Sequence, residues 1–282
     1  MNNKHTQFCF REGSIPLGSR TYIMGIINAT PDSFSDGGDN FSVENALKTA
    51  IQMEKQGADI LDIGGQSTRH DAIPISCDEE WERLEEILPS VLKATKLPVS
   101  VDTFYPEVAE KALSIGCHII NDVSGTVNPK MAEVIKKYGA GWVLMNSAVE
   151  ETDNIAECIH NRLSNMLETA VSLGVNAQNI CLDPGIGFGK TMEQNLKIVL
   201  ETNNIKINGN AYLLGASRKR LIGYAVGDNS LPFKERDFGT VAINTIGVLG
   251  GADILRVHNV SAAVQAALVT DAIIKQGEDL NV

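Results

Sequence analysis

Short apolar runs and amphipathic stretches alternate along almost the whole chain. The amphipathic stretches, such as SVENALKTAIQMEKQG and DEEWERLEEILPSVLKAT, repeat their apolar residues every three to four positions, which is typical of surface helices. The apolar runs are short enough to be buried strands, and they recur roughly every 30 residues, the spacing of strand–helix units. They are TYIMGIIN (21–28), DILDIGG (59–65), LPVSVD (97–102), HIIND (118–122), GWVLMN (141–146), NICLD (179–183), AYLLGAS (211–217) and DILRVHN (253–259).

This alternation predicts eight parallel strands, each followed by a helix. Eight such units close into a TIM (β/α)8 barrel, and we expect one domain over residues 1–282 with its core at about 20–276. A doubly wound open sheet is the alternative. The pentapeptide GADIL occurs at 57–61 and again at 251–255, each time leading into a predicted strand, as expected of repeated units.

Composition and charge narrow the class of protein. The net charge of −11 disfavours nucleic acid and anionic membranes as partners. No apolar run approaches the roughly 18 residues of a membrane span, and the first residues lack the pattern of a secretory signal. The five cysteines are scattered without a C-x-x-C pair, which is typical of reduced thiols. We therefore expect a cytoplasmic protein.

Polar residues follow nearly every predicted strand. In a TIM barrel, the carboxyl ends of the strands carry the chemistry, and residues two apart on a strand share a face. Arg256 and His258 can therefore both point into the barrel mouth, as can Ser100 and Asp102. A single such residue could simply cap the core, but the whole set predicts a binding site. Its members are Asn28, Asp102, Asn121, Asp122, Asn146, Asp183, Ser217, Arg218, Lys219, Arg256, His258 and Asn259.

The residue types indicate what such a site would bind. Carboxylates, amides and a lysine suit a flat heterocycle, because a carboxylate accepts two parallel hydrogen bonds from a ring N–H and an exocyclic amine. Arg256 and His258, with Asn28 opposite, suit a phosphate group, and an amide oxygen also suits Mg²⁺. The glycine-rich segments LDPGIGFGKT (182–191) and GGQSTRHDA (64–72) are either ligand-binding loops or flexible connections.

In chain order, several motifs resemble the dihydropteroate synthase family. They are GIINATPDSFSDGG, DIGG followed by STR, VSVDTF, INDVSG, LDPGIGFGKT, GASRKR and GTVAINTIGVLGGADILRVHNV, from residue 24 to residue 260. The resemblance implies a TIM barrel that condenses 6-hydroxymethyl-7,8-dihydropterin diphosphate with p-aminobenzoate. It also implies Mg²⁺ as cofactor, a homodimer, and a target of sulfonamides.

The resemblance also assigns roles to individual residues. Asp102, Lys219, Arg256 and His258 form the implied catalytic set. The pterin would be bound by Asp102, Asn121, Asp183 and Lys219, the diphosphate by Asn28, Arg256 and His258, and Mg²⁺ by Asn28. The p-aminobenzoate site would comprise Phe34, Thr68, Arg69, Phe188, Ser217 and Lys219.

The chain departs from the family pattern in the second loop and after the fifth strand. The family usually reads G-G-E-S-T-R-P-G in the second loop, where this chain has Gln66 and His70, and Asn146 stands where a histidine is common. Losing the proline frees the backbone at residue 70 and adds a titratable group. We expect these departures to leave the pterin half intact and to bear on p-aminobenzoate affinity and the response to sulfonamides.

The implied reaction is a dissociative substitution in which charged groups stabilise the departing diphosphate and no strong general base is needed. The alternatives are a pterin-binding methyltransferase domain, a Schiff-base aldolase using Lys219, and a non-catalytic pterin-binding paralogue. The SRK sequence at 217–219 and the STR sequence at 67–69 favour the synthase.

Overall fold

The protein is described by a computed structural model over residues 7–29, 42–66, 73–148 and 151–279. Its strands within these ranges are β1 (Gln7–Phe10), β2 (Gly13–Pro16), β3 (Tyr22–Asn28), β4 (Ile60–Gly64), β5 (Val99–Asp102), β6 (Ile119–Asp122), β7 (Gly141–Met145), β8 (Ile180–Asp183), β9 (Ala211–Leu214) and β10 (Ile254–Val257). Its α-helices there are α1 (Val43–Lys55), α2 (Cys77–Leu84), α3 (Ile87–Ala94), α4 (Pro106–Ser114), α5 (Pro129–Tyr138), α6 (Ile155–Ser172), α7 (Met192–Leu200), α8 (Thr202–Ile205), α9 (Arg220–Val226), α10 (Asp237–Leu249) and α11 (Val260–Asp279).

Strands β3 to β10 form a closed parallel barrel, and each lies within one of the eight predicted runs. Neighbours along the chain pair in sequence, and β10 closes the ring on β3 with Arg256 opposite Met24. The predicted TIM barrel is confirmed, and the open doubly wound sheet is excluded. Assignment of the whole chain to one domain stays a prediction.

Side-chain alternation separates a packed barrel base from a polar mouth. Residues such as Met24, Ile60 and Ile254 point inward and fill the lower part of the barrel. Val99 and Val101 pack outward with the helices, as predicted, which leaves Ser100 and Asp102 on the inward face. The polar groups of β4, β5, β6, β8 and β10 therefore lie above an apolar floor.

An amino-terminal hairpin, which the sequence analysis did not predict, covers the base of the barrel. β1 and β2 pair antiparallel, and Phe8 and Ile15 are buried among the inward apolar residues of the barrel. Each hairpin strand has only four residues, too few for a clear alternation of apolar and polar positions. The hairpin supports the fold at the end opposite the polar mouth.

Helix starts follow from local capping. Ser42, Ser76 and Asn128 accept hydrogen bonds from the first turns of α1, α2 and α5. Thr191 begins α7 with a capping box completed by Gln194.

None of the helices that the structure describes combines the length and apolarity needed to cross a bilayer.

Candidate active site

Four polar side chains from β4, β5, β6 and β10 form one hydrogen-bonded group inside the barrel. Arg256 donates from Nε to Asp62 Oδ2 at 2.7 Å and from Nη2 to Asp102 Oδ2 at 2.6 Å. The Asn121 amide donates to the same Asp62 oxygen at 3.1 Å. The two carboxylates and the amide are buried, whereas Arg256 is partly exposed. We call these four residues the carboxylate cluster.

Asp62 is the member of the cluster that the sequence analysis missed. It lies in the middle of β4, so an inspection of strand ends passes over it. The signal that would have found it is an acidic residue inside an apolar strand, two positions before Gly64 and therefore on the same face. A carboxylate with 0 % exposure needs a partner, and Arg256 supplies the opposite charge.

Asp183 of β8 lies beside this cluster. A Cβ placed on Gly215 would lie 3.5 Å from Asp183 Oδ2 and 4.0 Å from the Cβ of Arg256. The missing side chain of Gly215 therefore leaves a small space that both charged residues border. Because the two groups are this close, one small ligand can contact both.

Burial changes the protonation of the charged groups. It raises the pKa of Asp102 to about 7, although the adjacent Arg256 opposes the rise, and it also raises the pKa of Asp183. Burial lowers the pKa of Lys219 to about 8, against the attraction of Asp183. Although burial lowers it, the pKa of Arg256 is held above its usual value by the carboxylates of Asp62 and Asp102. At a pKa of about 8, the protonated form of Lys219 still predominates at neutral pH, so its ammonium group can donate hydrogen bonds.

Residues 184–190, which we call the glycine loop, form a hydrogen-bonded turn next to these charges. Gly185 has φ +72° and its amide donates to Asp183 Oδ1 at 2.7 Å, while a Cβ at this position would collide with the carbonyl oxygen of Asn146. Gly187 has φ +80°, and a Cβ there would lie 2.9 Å from Cδ of Lys219. Both positions require glycine, so the loop is not a loose connection.

The glycine loop and the residues after β9 bring predicted p-aminobenzoate residues together. The ammonium of Lys219 donates to the carbonyl of Ile186 and lies 4.4 Å from the centroid of the Phe188 ring, a cation–π distance. Ser217 Oγ is 2.9 Å from His258 Nδ1 and accepts from the backbone amide of His258 at 3.1 Å. The structure therefore brings Lys219 to Phe188 within the predicted p-aminobenzoate set, and joins Ser217 of that set to His258 of the predicted diphosphate site.

Several buried polar atoms around the cluster lack a hydrogen-bond partner among the described residues. They are Asp62 Oδ1, Asp102 Oδ1, Ser100 Oγ and Asn146 Nδ2. Buried polar atoms are rarely left unpaired, because each costs about 1–3 kcal/mol. Two free carboxylate oxygens suit a ligand that supplies N–H donors.

Asn28 is the predicted Mg²⁺ ligand. It ends β3 as an exposed residue and pairs with Gly64 at the rim of the barrel. Within the described ranges, no group of three or more His, Cys, Asp or Glu residues could hold a metal. One exposed amide oxygen fits an ion that keeps several waters and takes its other ligands from substrate phosphates, as Mg²⁺ does.

The remaining predicted positions are divided between described and undescribed parts of the chain. Phe34, Thr68, Arg69 and His70 lie outside the described residues. Gln66 is buried, and its Oε1 accepts from the backbone amide of Ile75 at 2.7 Å. Asn146 is buried, and its Oδ1 accepts from the backbone amide of Ala148 at 3.1 Å. These two departures from the family pattern are therefore both engaged in backbone contacts.

Comparison with known proteins places this geometry in a family. A family model described as Pterin binding enzyme matches residues 24–258. A dihydropteroate synthase from Clostridium beijerinckii is 44 % identical over 263 residues, which cover 92 % of this chain and 97 % of the relative. The chain belongs to the pterin binding enzymes, in the dihydropteroate synthase family. Enzymes of this family are transferases of folate synthesis, and the predicted enzyme class is confirmed.

Solved structures of dihydropteroate synthases share the fold over nearly the whole length. One from Clostridium difficile, determined in the presence of pteroic acid, has a TM-score of 0.86 and 42 % identity, covering 92 % of this chain and 98 % of that one. One from Xanthomonas albilineans with 4-aminobenzoic acid has a TM-score of 0.87 and 35 % identity, covering 92 % and 95 %. The family resemblance drawn from the motifs is therefore confirmed.

Proposed function

We propose that this enzyme condenses 6-hydroxymethyl-7,8-dihydropterin diphosphate with p-aminobenzoate, releasing diphosphate and forming 7,8-dihydropteroate. The observation that carries the proposal is the carboxylate cluster beside Asp183 and Lys219 at the carboxyl end of the barrel. Solved relatives determined in the presence of pteroic acid and with 4-aminobenzoic acid support the same substrate classes.

The pterin is assigned to the buried acids and amide. Asp102 and Asp183 would accept hydrogen bonds from ring N–H groups and the exocyclic amine, and Asn121 and Lys219 would serve other edges of the ring. The unpartnered Oδ1 of Asp102 supports this assignment, since a ring donor would satisfy it. Asp62 joins this set as the residue that holds both Arg256 and Asn121.

Arg256 is assigned to the diphosphate as well as to the carboxylates. A guanidinium has five N–H groups, and two of them serve Asp62 and Asp102. The others can donate to the leaving group, with His258 beside it. When bound at Asn28, Mg²⁺ would neutralise charge on the diphosphate.

The substitution needs charge stabilisation more than proton transfer. As the C–O bond to the diphosphate breaks, the electron-rich dihydropterin ring stabilises positive charge on its exocyclic methylene. Arg256 and His258 stabilise the negative charge on the departing oxygen. The aromatic amine then attacks the methylene carbon and loses its proton to solvent. Phe188, Ser217 and Lys219 would orient it, together with Phe34, Thr68 and Arg69.

An assay of diphosphate release tests the reaction. The enzyme is incubated with the pterin diphosphate, with and without p-aminobenzoate and with and without Mg²⁺. We expect release that requires both substrates and is greatly reduced when Mg²⁺ is chelated. Binding of the pterin without p-aminobenzoate-dependent release would contradict the proposal.

We also infer a homodimer and a cytoplasmic location. α10 packs beside α11, and the outer sides of both helices expose large apolar residues. These are Phe238, Ile246 and Leu249 on α10, and Leu268, Val269 and Ile273 on α11. A second copy of the chain would cover this apolar surface. All five cysteines lie within the described residues and no disulfide joins them, as expected in a reducing compartment.

A further inference from the structure

Asn195, early in α7, makes three hydrogen bonds to the backbone of the glycine loop and of Thr191, the residue that follows the loop. Its Oδ1 accepts from the amide of Gly187 at 2.6 Å. Its Nδ2 donates to the carbonyl of Lys190 at 3.3 Å and to that of Thr191 at 2.7 Å. The side chain is only 1 % exposed, so these bonds form away from competing water. They fix the backbone on both sides of Phe188.

The amide is suited to this position because it accepts and donates at once. An aspartate could accept from Gly187 but could not donate to the two carbonyls, and an alanine could do neither. The backbone it holds is also the surface against which Lys219 packs, since a Cβ on Gly187 would lie 2.9 Å from Cδ of Lys219. Asn195 therefore acts on the site through the loop, without lining it.

Lys190, itself a residue of the glycine loop, also holds the backbone of the loop in place. The ammonium of Lys190 donates to the carbonyl of Phe188 at 2.9 Å and to that of Asn146 at 3.0 Å. The backbone amide of Phe188 donates to the carbonyl of Gly185 at 3.1 Å. With Gly187 held by Asn195, the backbone that carries the Phe188 ring is fixed beneath the ammonium of Lys219.

We propose that Asn195 is a positioning residue for the p-aminobenzoate half of the site. It holds the glycine loop so that Phe188 and Lys219 keep one relative geometry. The inference rests on the proposed function, in which Phe188 binds p-aminobenzoate and Lys219 binds both p-aminobenzoate and the pterin. Asp102 and Asn121, which bind the pterin, lie on β5 and β6 in the carboxylate cluster, whereas Phe188 is carried by the loop itself. Loosening the loop should therefore affect p-aminobenzoate more than the pterin, although Lys219 binds both substrates.

Steady-state kinetics of N195A and N195D test the proposal, with each substrate varied in turn. Losing these bonds should raise the KM for p-aminobenzoate roughly fivefold to tenfold, the scale of one or two hydrogen bonds. The KM for the pterin diphosphate should rise less, by about twofold at most, because Asp102 and Asn121 still bind the ring. Each variant is assayed at a temperature at which its circular dichroism is native. N195S replaces N195A if the alanine variant does not fold.

Two further variants make the result decisive. Q194A removes the capping box of the same helix without removing the bonds of Asn195 to the loop. If those bonds are what matters, and not fraying of α7, both KM values should be unchanged in Q194A. F188A sets the scale for loss of the ring itself. If F188A raises the KM for p-aminobenzoate and N195A does not, the positioning role is overturned and the proposed function stands. If both KM values rise equally in N195A, or if Q194A matches it, Asn195 is only structural. If F188A also has no effect, the assignment of Phe188 fails, and the inference fails with it.

Discussion

Arg256 supplies the counter-charge for two buried carboxylates, those of Asp62 and Asp102. Removing Arg256 would leave Asp62 and Asp102 buried without their counter-charge, at a cost of about 3–5 kcal/mol for an uncompensated buried charge. A loss of activity in an Arg256 variant would therefore combine damage to the fold with damage to catalysis. Asp62 allows a cleaner test, because Asp102 remains to pair with Arg256.

Replacing Asp62 by asparagine keeps its shape and removes its charge. The bonds from Arg256 and Asn121 would then go to a neutral amide in place of a carboxylate, and kcat/KM for the pterin diphosphate should fall about 10- to 100-fold, the scale of one charged hydrogen bond. Steady-state kinetics measure this. D59N is the control, because Asp59 binds Arg20 and the amide of Ile23 outside the cluster. An unchanged kcat/KM in D62N would remove Asp62 from the site.

The pH dependence of kcat/KM should be bell-shaped with a narrow maximum between about pH 7 and pH 8. Ionised Asp102 is needed to accept the ring donors, and its pKa is about 7, while protonated Lys219 is needed and its pKa is about 8. Glu80 is a nearby negative charge that raises the pKa of Asp102, so E80Q should move the acidic limb to lower pH. A flat profile from pH 6 to pH 9 would contradict these assignments.

Ionisation of Asp102 should favour activity but reduce the stability of the fold. Its folded-state pKa is raised, so its contribution is fully present below the unfolded pKa of about 3.9 and is lost as pH rises through about 7. Thermal unfolding without ligands should therefore show D102N gaining stability relative to the parent chain between pH 5 and pH 8. A constant difference in Tm across that range would show that the carboxyl titrates normally.

At the scale of secondary-structure elements, the glycine loop and the barrel strands are specified in different ways. The strands follow from short apolar runs, in which alternation settles the inward face, so Asp102, Asn121, Asp183 and Arg256 could be placed in advance. The conformation of the loop depends on positive φ angles at individual residues. The sequence shows only that these residues are glycines. The contact of Gly185 with Asn146, 39 positions away, is invisible before folding.

Replacing Gly185 by alanine should be far more damaging than the same change at Gly139. Both have positive φ, but a Cβ at Gly185 meets the carbonyl of Asn146, whereas nothing lies within 4 Å of one at Gly139. G139A should cost about 1–2 kcal/mol from the left-handed conformation alone. G185A should cost more than about 3 kcal/mol or displace the loop, with loss of activity. Denaturant unfolding and kinetics on both variants decide this, and equal effects would refute the steric argument.

The amino-terminal hairpin should matter for stability and not for substrate binding. Phe8 is 0 % exposed and packs into the base of the barrel, so F8A should cost about 3–5 kcal/mol. The KM values of the folded fraction should stay unchanged, because the site lies at the other end. L200A, at a position 74 % exposed, should change stability by less than about 0.5 kcal/mol. A shifted KM in F8A would link the hairpin to the site.

At the scale of the whole molecule, the sequence predicts the closed barrel better than it predicts the charge pairing inside it. Strand spacing fixes where side chains emerge around the ring, but not which ones touch. Arg256 and Asp62 are 194 positions apart, and their pairing depends on closure of β10 onto β3 beside β4. The resemblance assigned Arg256 to the catalytic set and to the diphosphate, and the pairing adds two carboxylates as its partners.

Exposed apolar side chains on α10 and α11 are the basis of the proposed homodimer. Phe238 is 90 % exposed on α10, and Val269 is 60 % exposed on the adjacent α11. If a second copy covers them, F238E and V269E should convert a dimer to a monomer in sedimentation velocity at micromolar concentration, because each charge would be buried without a partner. V171E, at an exposed apolar position on α6, is the matched control and should remain dimeric. A parent chain that sediments as a monomer would contradict the proposal, and dissociation of V171E would place the contact elsewhere.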